Sequence, residues 1–142
     1  MNWNVKDYFP GDIIRVKLGS VYHYGIFVSD EEVIQFGYPP IEKYQDKEKV
    51  VVATDIDTFA CDQLVEVGSF TFSDHKKRFK SNITIEMARS RLGQDGYDML
   101  ENNCEHFAIW CKTGVSESLQ VNGMLGSLLN NKNWQFRRPV FR

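Results

Sequence analysis

The hydrophobic pattern of the chain changes its period once, at Thr84, and this change limits the folds that the chain can adopt. Before Thr84, short segments alternate apolar and polar residues or are rich in β-branched and aromatic residues, as β-strands are. After it, apolar residues recur at helical spacing. Consecutive strands followed by separate helices indicate an α+β fold, with an antiparallel sheet packed against helices.

The first half of the chain predicts five strands and the turns between them. In chain order the strands are DIIRVK at 12–17, VYHYGIFV at 21–28, EVIQF at 32–36, KVVVAT at 49–54 and QLVEVGSF at 63–70. Pro10-Gly11-Asp12 predicts a turn before the first strand, and Ser29-Asp30-Glu31 a short turn that joins the second strand to the third. The segment IDTFACD fits neither a strand nor a helix pattern.

The second half predicts helices. In TIEMARSRLG, Thr84 is a candidate cap and Gly93 a stop, with apolar residues at helical spacing between them. In NNCEHFAIWCKTG, Asn102 or Asn103 can cap the helix and Gly114 can end it. The residues predicted to share one face of this second helix are Cys104, Phe107, Ala108 and Cys111. A further short helix is predicted near residues 117–129.

Size and charge set limits on the kind of partner. The 142 residues fit a single domain over 1–142, and 42% hydrophobic residues suffice for a core. The net charge of −2 gives no field that would gather nucleic acid, so no nucleic-acid partner is predicted. A local basic cluster, His75-Lys76-Lys77-Arg78 with Lys80, is interpreted as a solvated loop rather than as a phosphate or membrane contact.

Cysteine usage and the apolar segments predict a soluble cytoplasmic protein. Three cysteines cannot form a complete disulfide framework, and the opening MNWNVKDYF lacks the pattern of a secretory signal. Reduced thiols are therefore expected. No apolar run approaches the ~20 residues that a membrane-spanning helix needs. VNGMLGSLL is too short and is interrupted by Gly123 and Gly126, and the chain ends in RRPVFR.

Cys104 allows three interpretations. It can be a buried small hydrophobe, which is the interpretation preferred for Cys61 and Cys111. A metal site is disfavoured, because Cys104 and His106 are two positions apart on a helix and do not face each other. No metal or other cofactor is predicted.

The third interpretation is a nucleophile, which the position of Cys104 favours. It follows Asn102-Asn103, at or near the first turn of a predicted helix. The free N–H groups and the dipole there favour the thiolate and can lower the pKa of the thiol. The same amides can hold a developing oxyanion.

A cysteine nucleophile also needs a base, and the chain offers three histidines. Helix geometry turns His106 away from Cys104, so a structural or capping role is expected for it. His75 lies in the charged stretch HKKRFK, which has nothing to hold it rigid. His23 lies on a predicted strand, and a strand holds a side chain accurately. His23 is therefore the preferred base.

Gln35 is the candidate partner of His23. In a hairpin centred on residues 29–31, residue 23 lies opposite 36 or 37, and 35 is about one position away. A slipped register or a small bulge would place Gln35 on the His23 face. Its amide could then accept a hydrogen bond from one ring nitrogen and leave the other facing Cys104. A plain polar strand residue is the alternative.

Three segments in this order, PGDIIRV, HYGIFVSDEEVIQF and ENNCEHFAIWCKTG, resemble the lecithin retinol acyltransferase family, also called the NC-motif family. The resemblance covers roughly residues 8–114, and NCEHF with Gly114 downstream is its most specific part. It implies a circularly permuted papain-like fold related to NlpC-type peptidases. It also implies Cys104 as nucleophile, His23 as general base and Gln35 at the third, polar position, where active members usually carry histidine.

The function implied is a thiol-dependent acyltransferase or acyl-ester hydrolase that forms a thioester on Cys104. The backbone N–H of Cys104 would hold the oxyanion, with Asn103 and Tyr22 as candidate supporting residues. The family suggests an acyl-ester or lipid-like substrate such as a phospholipid, and peripheral contact with a membrane is compatible with it. Two alternatives stay open: an NlpC-like cysteine peptidase or amidase, and a non-catalytic interaction domain that retains the fold.

Overall fold

The computed structural model describes residues 1–71, 78–99 and 102–115, and its centre is a six-stranded antiparallel sheet. The strands are β1 (Asn2–Asn4), β2 (Ile13–Leu18), β3 (Val21–Ser29), β4 (Glu32–Phe36), β5 (Val51–Thr54) and β6 (Glu66–Ser69). Their order in the sheet is β1-β6-β2-β3-β4-β5. The helices in these described ranges are α1 (Ile56–Ala60), α2 (Ser81–Ser90) and α3 (Cys104–Thr113), with a single 3₁₀ turn at Glu42–Tyr44. The predicted α+β class is confirmed.

All five predicted strands are present, and β1 adds a sixth that the sequence did not indicate. The predicted strand at 63–70 is shorter in the structure, because pairing starts only at Glu66. Strand β1 pairs with β6 through Trp3 opposite Gly68. Three residues are too few to show the alternation by which strands are recognised in a sequence.

The unassigned segment IDTFACD contains α1. Asp55 caps this helix, since its Oδ1 accepts the backbone N–H of Thr58 at 2.8 Å. Cys61 and Asp62 end it in the left-handed region, with φ of 50° and 63°. Five residues cover little more than one turn, so no helical period can be read from them.

Helix α2 starts at Ser81, and the prediction that Thr84 caps it is wrong. Thr84 is fully buried one turn into the helix, on the same inward side as Ala88. Lys80 holds the cap position and makes no side-chain cap hydrogen bond. Packing of the Thr84 side of the helix against the rest of the protein therefore decides where the helix lies, rather than capping by threonine.

Both faces of the sheet are covered. On the side of α3, the core contains Ile13, Tyr24, Ile26, Ile34, Phe36, Phe107, Ala108 and Trp110. On the opposite side it contains Ile14, Val16, Leu18, Phe27, Val33, Phe59 and Val67, with Phe59 supplied by α1. Burial on both faces explains why β3 is buried continuously from His23 to Phe27.

The hairpin of β3 and β4 contains the irregularity that the sequence analysis required. Ser29 pairs with Glu32, but Phe27 pairs with Val33, so the register shifts by one residue between them. Continued along the strands, this register places Gln35 on the same face as His23. The sequence allowed a slipped register or a small bulge here, and the structure has a one-residue register shift between Phe27 and Ser29.

Two earlier predictions fall outside the described residues: the helix near 117–129, and residues 75–77 of the basic cluster. No helix in the described ranges has both the length and the apolar composition needed to cross a membrane.

Candidate active site

The first turn of α3 is fixed by a capping box. Asn103 is the N-cap, and its Oδ1 accepts the backbone N–H groups of Glu105 at 2.9 Å and His106 at 3.0 Å. In return, His106 Nδ1 accepts the backbone N–H of Asn103 at 3.0 Å. Histidine thus occupies the place that Glu or Gln usually takes in this motif. The predicted capping role of His106 is confirmed.

Cys104 is the first residue of α3, and its side chain reaches the edge of β3. The residue is only 6% exposed, and its Sγ lies 3.9 Å from the carbonyl oxygen of Tyr22. The backbone N–H of Tyr24 stabilises the thiolate form of the same group. Pairing between β3 and β4 extends only as far as Ile26, so the thiol occupies an open stretch of this edge. It therefore contacts the backbone on either side of His23.

The Cys104 thiol is harder to ionise than a free one. Burial raises its pKa to about 11, and the carboxylate of Glu105 adds to the increase. The backbone N–H groups of Tyr24, Glu105 and Cys104 lower the pKa, in the direction predicted for a helix N-terminus. They do not outweigh burial, so the prediction of a lowered pKa is wrong in its net effect. Cys104 is a neutral thiol at pH 7.

His23 is buried against α1 and held by one hydrogen bond. It is 1% exposed, its ring centroid lies 5.2 Å from that of Phe59, and Nε2 donates to Gln35 Oε1 at 3.0 Å. A side chain at Gly25 would bring a Cβ within 2.8 Å of the Phe59 ring, so glycine permits this packing. Burial lowers the pKa of His23 to about 4, and the Gln35 hydrogen bond opposes this only in part. His23 is thus neutral at pH 7, with a lone pair on Nδ1.

Gln35 has its amide orientation fixed by its neighbours. It is completely buried, and its Nε2 donates to Val33 O at 3.0 Å and to Thr54 Oγ1 at 2.9 Å. The Thr54 hydroxyl in turn donates to Asp55 O. Because both donors of the amide are used, Oε1 is the atom that faces His23. The predicted contact between Gln35 and His23 is confirmed.

The structure does not bring Cys104 and His23 into a direct hydrogen bond. The thiol belongs to the core on the α3 side, whereas the His23 ring packs on Phe59 from the other side. The two residues meet at the β3 edge, where the thiol contacts the backbone next to His23. Catalytic hydrogen bonds are often long or misaligned before substrate binds and tighten only in the complex with substrate.

The two predicted supporting residues act through other contacts. Asn103 uses its Oδ1 for the cap and donates from Nδ2 to Met99 O at 2.9 Å, so it positions α3. Tyr22 presents its carbonyl oxygen to the thiol, and its ring lies under the guanidinium of Arg15. Of the first helix amides, that of Cys104 alone is not bonded to Asn103.

Sequence analysis missed Tyr97 in the loop after α2. Its ring packs edge-on against Phe36, with centroids 5.2 Å apart. Its pKa is raised by burial first and then by the nearby Cys104. Tyr97 therefore lies close to Cys104. The segment QDGYD around it shows no motif, and only its position seven residues before Cys104 could have pointed to it.

A family model and several curated proteins match most of this chain. The family model of lecithin retinol acyltransferase matches residues 6–117. The chain is similar to curated proteins with the name lecithin retinol acyltransferase. That of Bos taurus is 23% identical over an alignment of 141 positions, which covers 84% of this chain and 61% of that protein. That of Rattus norvegicus is 26% identical, and the match covers 84% of this chain and 60% of that protein. That of Homo sapiens is 24% identical, and the match covers 83% of this chain and 60% of that protein. The chain thus spans about 60% of the length of these relatives.

Proposed function

The chain belongs to the lecithin retinol acyltransferase family, and on this premise we propose that it is a thiol-dependent acyltransferase or acyl-ester hydrolase. Cys104 is the nucleophile and His23 the general base, in an arrangement of the circularly permuted papain-like type within a single domain. One observation carries the proposal most of all. The Cys104 thiol contacts the backbone next to His23, and Gln35 fixes which nitrogen of that histidine has a lone pair.

In the first step, His23 Nδ1 takes the proton of the Cys104 thiol while Sγ attacks an ester carbonyl. Both side chains are neutral at pH 7, since their pKa values are about 11 and about 4. The proton therefore moves together with the attack, and no thiolate–imidazolium pair forms beforehand. Gln35 Oε1 accepts from the Nε2–H of the imidazolium as it forms.

The developing oxyanion needs hydrogen-bond donors. The Asn103 side chain accepts from the N–H groups of Glu105 and His106 and not from that of Cys104. The N–H of Tyr24 points to the Cys104 thiol. We assign the N–H groups of Cys104 and Tyr24 to the oxyanion. Removing one such donor typically lowers kcat about 10²–10³-fold.

The second half of the cycle restores the enzyme. The ester C–O bond breaks, and the leaving alcohol takes the proton from His23, which leaves an acyl thioester on Cys104. Water, an alcohol or an amine then attacks the thioester and gives up a proton to His23. The C–S bond breaks, and the proton returns to the sulfur.

The relatives are named for lecithin and retinol, a lipid acyl ester and an alcohol. For this chain we propose a lipid-like acyl ester as the donor, because the nucleophile belongs to a core cluster that contains or is packed by aromatic rings. These rings include Tyr22, Tyr24, Phe36 and Tyr97. Water or a second alcohol is the proposed acceptor.

The test is mass spectrometry of the acyl-enzyme. The purified protein is incubated with p-nitrophenyl hexanoate or with phosphatidylcholine vesicles, and the acylated peptide is identified. We expect one acyl group, on Cys104. The matched control is Cys111→Ala, on the same helix, which keeps the adduct, whereas Cys104→Ala loses it.

His23→Gln should slow acylation by about 10²–10⁴-fold, the usual contribution of a general base. An adduct that persists in Cys104→Ala would contradict the proposal, and so would a wild-type protein that acquires none from any ester. Cleavage of peptides by the wild-type protein, with no acylation by esters, would instead favour the NlpC-like peptidase. If the wild-type protein is not acylated by esters and does not cleave peptides, the non-catalytic interaction domain is favoured.

A further inference from the structure

Arg15 is a partly buried cation on β2, directly opposite Tyr24 of β3. Only 15% of its side chain is exposed. Its Nε donates to Glu66 Oε1 on β6 at 2.7 Å, and its Nη1 donates to the hydroxyl of Tyr24 at 3.4 Å. The sequence alone assigns no role to it.

The same guanidinium also lies over two aromatic rings. Its central carbon is 3.8 Å from the ring centroid of Tyr22 and 4.2 Å from that of Trp3. Trp3 belongs to β1, so Arg15 contacts side chains from three other strands. Guanidinium groups stack on aromatic faces in this way while their edges donate hydrogen bonds.

Two of these contacts lead directly to the nucleophile. Tyr22 and Tyr24 are the residues on either side of His23. The Tyr22 carbonyl accepts from the Cys104 thiol, and the Tyr24 N–H stabilises the thiolate.

This stretch of β3 lies beyond the last residue paired with β4, which is Ile26. Strand pairing therefore fixes only its β2 side. The side chains of Tyr22 and Tyr24 point to the α3 side, where Arg15 contacts both.

We propose that Arg15 is a positioning residue that holds the open edge of β3 at residues 22–24 in the geometry that the Cys104 reaction requires. The inference rests on the proposed role of Cys104. Arg15 acts through Tyr22 and Tyr24 and does not contact the substrate.

The physical requirement is for a planar fork that stacks and donates at once. Lysine would keep the charge, but it cannot stack over Tyr22 and donate to both Glu66 and Tyr24 with the same geometry. Misplacing a reacting group by about 1 Å can cost about 10²-fold in rate. We therefore expect Arg15→Lys and Arg15→Met to lower kcat for acylation of Cys104 by about 10- to 100-fold, with KM unchanged.

Arg89 provides the matched control. It also forms an ion pair, to Glu32 at 2.7 Å, but it lies exposed on α2 and away from the open β3 edge. Arg89→Lys and Arg89→Met should stay within about twofold of wild type. Acylation by p-nitrophenyl hexanoate is measured over a range of ester concentrations, and thermal melting shows which variants are folded.

Chemical rescue gives a readout that a loss of stability would not produce. Arg15→Ala leaves space beside the Trp3 and Tyr22 rings. Millimolar guanidinium should restore a measurable part of kcat in this variant, and methylammonium at the same concentration should not.

Several results would overturn the inference. If Arg15→Lys acylates like wild type, only charge matters; if KM rises while kcat is unchanged, Arg15 contacts the substrate. Should the Arg15 variants not fold, Glu66→Leu decides, because it retains the cation and removes the oxygen that accepts from Arg15 Nε. An unchanged kcat in Glu66→Leu overturns the proposal. If the wild-type protein is not acylated on Cys104, both proposals are overturned. If the wild-type protein is acylated and the Arg15 variants are acylated at the same rate, only the inference about Arg15 is overturned.

Discussion

At the scale of single residues, burial rather than hydrogen-bond partners sets the ionisation of Cys104 and His23. The pKa of Cys104 is raised to about 11 and that of His23 lowered to about 4. The proposed base His23 is therefore neutral at pH 7, but its imidazolium is costly in a buried site. Gln35 offers that cation a carbonyl dipole and no charge. The identity of residue 35 should accordingly control how strong a base His23 is.

Gln35→Glu tests this control. An ionised carboxylate 3.0 Å from Nε2 would stabilise the imidazolium and raise the pKa of His23, by about one unit or more. His23 acts as a base only when neutral, so the acid limb of the acylation rate should move to higher pH. Rates from pH 4 to pH 9, and the ring signals of His23 in NMR, would measure the shift. Gln63→Glu is the control, since Gln63 is exposed. An acid limb at the wild-type position in Gln35→Glu would show that residue 35 does not act on His23.

At the scale of elements, the sequence predicts those parts whose signals are local. Of the two candidate caps, Asn102 and Asn103, it is Asn103 that begins α3, and Gly114 ends it as predicted, with φ 80°. The contact between His23 and Gln35 required a slipped register or a bulge, but its position could not be predicted. Alternation of apolar and polar residues does not show where a strand contains an extra residue. Strand β1 and helix α1 escaped prediction because they are too short to have a period.

His106 is the element-scale test of the capping box. Glutamine at this position can accept the Asn103 N–H, as residues at N3 usually do, whereas leucine leaves that N–H without its acceptor. We expect His106→Leu to lower the free energy of unfolding by about 1–2 kcal/mol and His106→Gln to lower it by less than about half as much. Urea unfolding of the two variants gives both values.

The acylation rate of the same variants separates a cap from a base. His106→Gln should acylate within a few-fold of wild type, while His23→Gln loses most of the rate. If His106→Gln loses as much as His23→Gln, His106 takes part in the proton transfer and its capping role is secondary.

At the scale of the whole molecule, the site depends on contacts between distant parts of the chain. Trp3, Arg15 and Glu66 meet because β6 inserts between β1 and β2 in the sheet. No spacing in the sequence encodes that order, so the α+β class and the pair His23 and Gln35 could be predicted while Arg15 could not. The pKa values of Cys104 and His23 could not be predicted for the same reason, since the pKa of a buried group depends on every part of the protein that shields it from water.

The buried His23 should make the stability of the protein depend on pH. Its pKa is lowered from 6.5 to about 4 in the folded state, so between these values the unfolded chain binds the proton and the folded one does not. The free energy of unfolding should therefore fall as the pH falls from about 6.5 to about 4, by up to about 3 kcal/mol. Above pH 6.5 this contribution is complete and constant. Urea unfolding at half-unit steps would measure the slope, and His23→Gln, which has no such proton, should remove that part of it. If the wild-type protein and His23→Gln lose stability equally over this range, His23 is accessible to protons in the folded state, and the neutral base on which the proposed reaction depends would be lost below pH 6.5.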